Sequence, residues 1–151
     1  MFPPRGDAGN AGRMTSVTLE QTKSVVAAAE EKADEIGVPM NIAVVDAGNN
    51  LTAFLRQDGA WLGSIEIAKD KAFTARAFDI STAELADMAA PGGSLYGIAV
   101  SNDGRVIVFP GGLPLKQGEE IVGAIGVSGG EVDQDQAVAE AGAAALAGVA
   151  A

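Results

Sequence analysis

The sequence predicts a single α+β domain in which helices cover an antiparallel β-sheet. Its 151 residues are enough to enclose one substantial core. Segments with helical spacing of apolar residues alternate with short β-rich runs joined by turns that contain Gly and Asn. Because hairpin links join antiparallel neighbours, whereas parallel strands need a longer crossover, we predict that the sheet is antiparallel.

The N-terminal part of the chain predicts an extension followed by a helix. Residues 1–13 contain Pro, Gly, Asp and Asn without periodicity, so we predict a disordered extension ahead of a domain over 14–151. Thr18 to Gln21 have the form of a capping box. The apolar spacing behind this box predicts a helix over about 19–36, which ends at Gly37.

A hairpin and two helices follow in the prediction. The runs 41–46 and 51–56 flank an Ala-Gly-Asn-Asn turn and indicate two paired strands. A second helix is predicted over about 61–78. Another capping box, Ser81 to Glu84, predicts a short helix that reaches about Met88 before Pro-Gly-Gly breaks it.

The remaining chain predicts three more strands and a last helix. The runs 95–100 and 105–109 flank Ser-Asn-Asp-Gly, a strong hairpin pattern, and 121–128 is a further apolar strand. The segment 110–114 is predicted to be a rigid connection, and 134–148 an Ala-rich helix. The predicted order is therefore α-ββ-α-α-βββ-α, with a five-stranded sheet.

Composition narrows the classes of partner and of chemistry. The net charge of −10, from 20 acidic and 10 basic residues, argues against nucleic acid and an anionic membrane as partners. The chain contains no Cys and no His, which removes disulfides, thiolate catalysis, the commonest general base and the usual haem ligand. No apolar run spans a membrane and no signal peptide is evident, so we expect a cytoplasmic location.

Three segments together resemble the GlcG/HbpS (DUF336) family, also called the haem-degrading domain family. They are Val44-Val45-Asp46 running to Ala60, the stretch Ala68 to Ala75, and Pro110-Gly111-Gly112-Leu113-Pro114 running to Gly130. The same domain forms the C-terminal part of PduO-type corrinoid adenosyltransferases. The resemblance implies a profilin- or roadblock-like fold with a five-stranded antiparallel sheet, a small-molecule ligand, and homo-oligomers from dimers to octamers.

The chain departs from the haem-binding pattern of this family. Haem-binding relatives use His or a pocket hydroxyl near the iron, whereas this chain has no His, and Tyr96 is its one tyrosine. The lack of His and Cys disfavours haem and leaves the cofactor unknown, although haem carboxylates could still pair with Lys or Arg. Some secreted relatives have a surface iron site built from acidic residues on a helix, and only Glu66 and Asp70 correspond to it here. Such a pair is more typical of a solvated helix face. We therefore predict no metal.

Two glycine-rich segments are candidate ligand-binding loops. Gly111, Gly112, Leu113 and Pro114 could present backbone N–H groups to an anion or carbonyl, or they could simply connect two strands. Ser128, at the end of a strand, could donate a hydroxyl hydrogen bond to a ligand, or the segment could only lead into the last helix.

Charged residues supply the other candidates. Arg56 and Asp58 leave a strand together and could bind a carboxylate or phosphate, or form a local salt bridge. Lys71, in the family-like stretch, is the best candidate for a functional lysine, and Asp46 is the candidate general base. Thr74, in the same stretch as Lys71, is a candidate ligand-binding residue. The structural alternatives are an exposed helical lysine and an aspartate that caps the turn after its strand.

Three functions remain open from the sequence. The first is a small-molecule-binding module. The second is an enzyme that acts on a small oxygenated metabolite by proton transfer, hydration or aldol-type chemistry. The third is a structural partner of a metabolic enzyme. Phe54 and Trp61 could line a pocket or serve as core or interface anchors.

Overall fold

The computed structural model describes residues 15–148, so the disorder predicted for 1–13 lies outside the described part of the chain. The elements in chain order are α1 (Leu19–Ile36), β1 (Asn41–Asp46), β2 (Leu51–Arg56), α2 (Gly63–Phe78), α3 (Thr82–Ala89), two 3₁₀ turns (Ile98–Val100 and Asn102–Gly104), β3 (Gly112–Gln117), β4 (Glu120–Ser128) and α4 (Val132–Leu146).

All four strands belong to one antiparallel sheet in the order β2-β1-β4-β3. The two hairpins, β1–β2 and β3–β4, meet through the central pair β1–β4. Asn41 pairs with Ser128 at one end of this central pair, and Asp46 pairs with Gly123 at the other. The edge strands are therefore β2 and β3.

The two faces of the sheet are covered differently. Helices α1 and α4 pack together on one face, over a core of branched aliphatic side chains that includes Ile42, Val44 and Ile125. Helix α2 lies on the other face, where the contact consists of small residues such as Ala43, Ala68 and Ala124. This helix packs on β1, β3 and β4 but barely reaches β2.

The α+β class is confirmed, but the prediction of five strands is wrong. Within residues 15–148 the sheet has four strands, in the order α-ββ-α-α-ββ-α. The runs 95–100 and 105–109 are not strands. The strand that pairs with β4 is instead β3, which begins at Gly112. Residues 112–114 of the segment predicted to be a connection therefore belong to a strand.

Local hydrogen bonding explains this correction. Between Met88 and Arg105, backbone N–H groups bond mainly to carbonyls three residues earlier, which closes successive turns. Asn102, Asp103 and Gly104 all have positive φ, so the Ser-Asn-Asp-Gly pattern forms a tight turn without strands on either side. Pro114 is accommodated in β3 because β3 is an edge strand, where a missing N–H costs least.

No helix within residues 15–148 is long and apolar enough to cross a membrane.

Candidate functional site

Lys71 lies in the interior of the domain. Its side chain is 0% exposed, and Nζ donates hydrogen bonds of 2.8 Å to the carbonyl oxygen of Val127 and 2.8 Å to Oδ2 of Asp135. The ring of Phe109 lies over the ammonium group, 4.9 Å from Nζ to its centroid. The ammonium group therefore has a carbonyl, a carboxylate and an aromatic face as neighbours.

Asp135 comes from the first turns of α4, where the helix dipole favours a carboxylate. Its Oδ1 accepts a hydrogen bond from the Gly130 backbone N–H at 2.9 Å. Burial raises the pKa of Asp135, and the hydrogen bond from Lys71 opposes that rise. Burial lowers the pKa of Lys71, opposed by the hydrogen bond and charge of Asp135. Desolvation thus outweighs the pairing for both groups.

Two glycines allow the chain to pass close to Lys71. Gly111 has a φ of +126°, and a Cβ there would lie 2.7 Å from Lys71 Nζ. A Cβ on Gly112 would lie 2.5 Å from the Lys71 carbonyl oxygen. The backbone N–H of Gly112 donates to Thr82 Oγ1, and that of Gly111 to Gln136 Oε1. Neither N–H is left for an anion, because both already have a side-chain acceptor.

The other candidates near Lys71 have structural contacts of their own. Thr74 Oγ1 lies 2.7 Å from the Asp70 carbonyl and accepts from the Ile107 N–H at 3.0 Å. Leu113 and Pro114 lie half-buried in β3, opposite Ile125 and Ala124 of β4.

Asp46 lies away from Lys71. Lys71 contacts Val127, which pairs with Ile42, and Asp46 is four residues further along β1, or about 13 Å at strand spacing. Its Oδ1 accepts from the backbone N–H of Asn50 at 2.9 Å within the β1–β2 turn. The structure therefore does not bring Lys71 and Asp46 to a common atom.

Arg56 and Asp58 line an open cleft of about 540 Å³ between the end of α1, the loop before β1, and the end of β2. Its lining is mixed and includes the apolar residues Ala33, Val38 and Leu55. Arg56 and Asp58 form no ion pair with each other, and Arg56 instead donates to the Ala60 carbonyl at 3.3 Å. Glu30 and Asp34 of α1 add two carboxylates to the cleft wall, so anionic ligands are disfavoured on the α1 side of Arg56.

A second candidate surface is the exposed strip between α2 and the edge strand β2, which we call the α2–β2 groove. Leu51 and Phe54 of β2 pair with Val45 and Ala43, whose side chains face α2. Because paired residues project to the same side of a sheet, Leu51 and Phe54 face that side too, yet both are exposed. The helix covers β1 but leaves this apolar strip of β2 open.

The helix side of the α2–β2 groove is also defined by contacts. Arg76 Nε donates to the Ala47 carbonyl at 2.8 Å, and Asn49 Nδ2 donates to the Phe73 carbonyl at 3.1 Å. This face of α2 therefore contacts the β1–β2 hairpin. Helical spacing places Leu62, Ile65 and Lys69 on the same face.

Sequence reasoning missed two neighbours of Lys71, Asp135 and Phe109, and also Gln136, which accepts from the Gly111 N–H. Asp135 and Gln136 belong to a segment that reads as an ordinary helix start, and Phe109 belongs to a run that reads as a strand. The one sequence feature that pointed to Asp135 was its place as an acidic residue near a helix N-terminus, and most helices have such a residue. No group of three or more His, Cys, Asp or Glu side chains that could hold a metal ion occurs in the described residues.

The comparisons with known proteins agree with this architecture. A family model described as "Haem degrading protein HbpS-like" matches residues 17–144. The chain belongs to the HbpS-like family. An uncharacterised 15.0 kDa protein from the dhaT–dhaS intergenic region of Citrobacter freundii is 41% identical over 128 residues, which cover 85% of this chain and 90% of that protein.

Solved structures of other HbpS-like proteins share the fold. Klebsiella pneumoniae ORFY matches with a TM-score of 0.89 and 35% identity, covering 99% of this chain and 100% of ORFY. The haem complex of PduOC matches with a TM-score of 0.83 and 36% identity, covering 87% of this chain and 95% of PduOC.

The corrinoid adenosyltransferase PduO of Citrobacter freundii is 37% identical over 131 residues, or 87% of this chain. The chain spans only 39% of the length of PduO.

Proposed function

We propose that this protein binds a flat, carboxylate-bearing small molecule of the tetrapyrrole class in the α2–β2 groove, without a histidine bond to the iron. The observation that carries the proposal is the exposed apolar strip formed by Leu51 and Phe54, which α2 leaves open. The haem complex of PduOC, a relative with the same fold, supports the choice of ligand class.

The groove combines an apolar floor with cations. Trp61 and Leu62, at the start of α2, are 69% and 72% exposed. Arg56 pairs with Asn41 at one end of the strip, and Lys69 lies along the helix wall. In a chain with net charge −10, cations beside an apolar strip favour a ligand with an apolar body and carboxylates.

The residues present fit a tetrapyrrole only in part. The chain has no His or Cys, so neither can bond to an iron atom. Arg56 and Lys69 suit the propionates, and Phe54 and Trp61 suit the macrocycle. Iron is therefore not needed for binding, and the porphyrin body and its carboxylates supply the contacts.

Titration with hemin and with iron-free protoporphyrin IX tests the proposal. Both should bind saturably, with affinities within about threefold of each other, because no axial bond contributes. Phe54→Glu and Arg56→Gln should each weaken both ligands about tenfold or more. Lys116→Gln, which removes one exposed positive charge from the opposite edge strand, is the matched control and should leave both affinities unchanged.

Two outcomes would contradict the proposal. One is a Soret shift that does not saturate or that Phe54→Glu leaves unchanged. The other is hemin binding more than a hundredfold tighter than protoporphyrin IX, which would show that an iron ligand dominates.

We also infer that the protein self-associates through the segment between α3 and β3. This segment exposes large apolar side chains, namely Leu95, Tyr96, Val100 and Phe109. Tyr96 is 70% exposed and Val100 86% exposed. An apolar surface of this kind on one subunit is typical of a contact between subunits.

A further inference from the structure

One buried oxygen atom without a hydrogen-bond partner, Asn41 Oδ1, lies at one end of the sheet near two serine residues. Asn41 is 0% exposed and its Oδ1 has no partner in the described structure. Ser64 and Ser128 are also buried, and the hydroxyl of neither forms a hydrogen bond within residues 15–148. Buried polar atoms are nearly always satisfied in native proteins, so such a group indicates a missing partner.

The backbone shows that these residues are neighbours. The carbonyl oxygen of Trp61 accepts from Asn41 Nδ2 at 3.0 Å and from the backbone N–H of Ser64 at 3.2 Å. Asn41 and Ser128 are directly paired across β1 and β4. Ser64 therefore lies above the pair formed by Asn41 and Ser128.

A cation completes this arrangement at the solvent side. Arg56 is paired with Asn41 on the other side of β1, so Arg56, Asn41 and Ser128 form a row across three strands on the α2 face. Arg56 is exposed and lies on the edge strand. Its hydrogen bond to the Ala60 carbonyl is long, at 3.3 Å, and a carboxylate could replace it.

The start of α2 favours negative charge at the same place. No side chain caps its N-terminus, and the helix is 16 residues long. The positive end of its dipole points toward the row, next to Asn41 and Ser64. An anion alone would not suit Asn41 Oδ1, however, because that atom is an acceptor and needs a donor.

We propose that this row is a binding site for a small hydroxy-carboxylate. A ligand hydroxyl would donate to Asn41 Oδ1, its carboxylate would pair with Arg56, and the hydroxyls of Ser64 and Ser128 would bond to its remaining oxygens. The ligand would enter from the β2 edge beneath Ala60 and Trp61, which requires the loop between β2 and α2 to lift.

The site shares Arg56 with the α2–β2 groove, but its two serines are not part of that groove. Ser64 on the buried side of α2 and Ser128 at the end of β4 are both 4% exposed, whereas Phe54 on β2 and Trp61 before α2 are 36% and 69% exposed. Ser64→Ala and Ser128→Ala should therefore leave hemin and protoporphyrin IX binding unchanged, which distinguishes the two proposals.

Trp61 is the one tryptophan of the chain, so its fluorescence reports on this site directly. Three small probes of three carbons each separate the chemistry: glycerate has both groups, propionate lacks hydroxyls, and glycerol lacks a carboxylate. Glycerate should give a saturable change at a concentration at least about tenfold below that of either control, because each loses one kind of contact.

Variants locate the effect. Ser64→Ala and Ser128→Ala break no existing hydrogen bond, so both should fold, and each should weaken glycerate about two- to tenfold. Arg56→Gln should weaken it about tenfold or more, while the charge-matched Lys116→Gln should have no effect.

The proposal fails if glycerate binds no more tightly than propionate and glycerol. This comparison of probes needs only the natural chain and no variant. It also fails if Lys116→Gln weakens glycerate as much as Arg56→Gln does. A crystal structure grown with glycerate that shows only an ordered water at Asn41 Oδ1 would overturn it as well.

Discussion

Lys71 Nζ lies 2.8 Å from Oδ2 of Asp135, although the two residues are 64 positions apart in the chain. The side chains are 0% and 3% exposed. Because Lys71 also donates to the Val127 carbonyl, this one side chain joins α2 to both β4 and α4. The pair is thus a tertiary link between the two faces of the sheet.

Removing one member of this pair should be strongly destabilising. Lys71→Met leaves the Asp135 carboxylate buried without its cation, and Asp135→Asn leaves the ammonium without its anion. Each should lower the free energy of unfolding by about 3–5 kcal/mol, measured by urea denaturation at neutral pH.

The exposed pair formed by Lys69 and Glu66 on the same helix is the matched control. Lys69→Met should change the free energy of unfolding by less than about 1 kcal/mol, since exposed ion pairs contribute little. Equal losses for Lys71→Met and Lys69→Met would show that the buried pair is not a structural link.

The destabilisation should depend on pH with opposite sign in the two variants. In Lys71→Met the pKa of Asp135 should rise further, because the Lys71 hydrogen bond and charge that oppose burial are gone. A carboxyl group with a raised folded-state pKa is penalised above that pKa and relieved below it. The stability deficit relative to the natural chain should therefore shrink as the pH falls from 7 toward about 4.

Asp135→Asn should show the reverse. Without Asp135 the pKa of Lys71 should fall further below its ordinary value. A lysine with a lowered folded-state pKa is penalised below that pKa and relieved as the pH rises toward the unfolded value near 10. Urea titrations at pH 5, 7 and 9 of both variants and the natural chain measure these trends, and parallel curves would contradict them.

The sequence predicted the helices well because their signals are local. Thr18 and Gln21 form the predicted capping box, with Gln21 N–H donating to Thr18 Oγ1 at 3.1 Å and Thr18 N–H to Gln21 Oε1 at 2.9 Å. The hairpin β1–β2 was equally local, since its strands are separated only by the turn at residues 47–50.

The strands predicted after α3 depended on distant partners that the sequence does not display. Thr74 holds the segment before β3 by accepting from the Ile107 N–H, and β3 occupies the sheet edge that this segment would need. The same limit applies to the site. Lys71 could be singled out, but Asp135 reads as an ordinary acidic residue in the first turns of a helix until the fold brings the two together.

Gly126 should tolerate no side chain. A Cβ there would lie 2.0 Å from the Ala68 carbonyl oxygen and 2.4 Å from the Ala72 backbone nitrogen, so α2 would have to move away from β4. We expect Gly126→Ala to lower the free energy of unfolding by about 3 kcal/mol or more, above the usual cost of overpacking because both contacts are with backbone.

Gly63 is the matched control for this substitution. It lies at the start of α2, and a Cβ there would meet nothing within 4 Å. Gly63→Ala should raise the free energy of unfolding by up to about 1 kcal/mol. Thermal melts of the two variants measure the contrast, and a Gly126→Ala protein as stable as Gly63→Ala would disprove the close packing of α2 on β4.

Self-association through the segment between α3 and β3 should be sensitive to charge at its most exposed apolar position. Val100 is 86% exposed, so Val100→Asp should cost the isolated subunit little. In an interface the same carboxylate would be desolvated without a partner, and in a chain of net charge −10 it would also add to the repulsion between copies. We expect sedimentation velocity to show a smaller assembly for Val100→Asp at equal protein concentration, with circular dichroism unchanged.

Leu19→Asp, at an exposed apolar position in the first turn of α1, adds the same charge elsewhere and should leave the assembly intact. If the natural chain sediments as a monomer, or if both variants dissociate alike, this segment is not the interface.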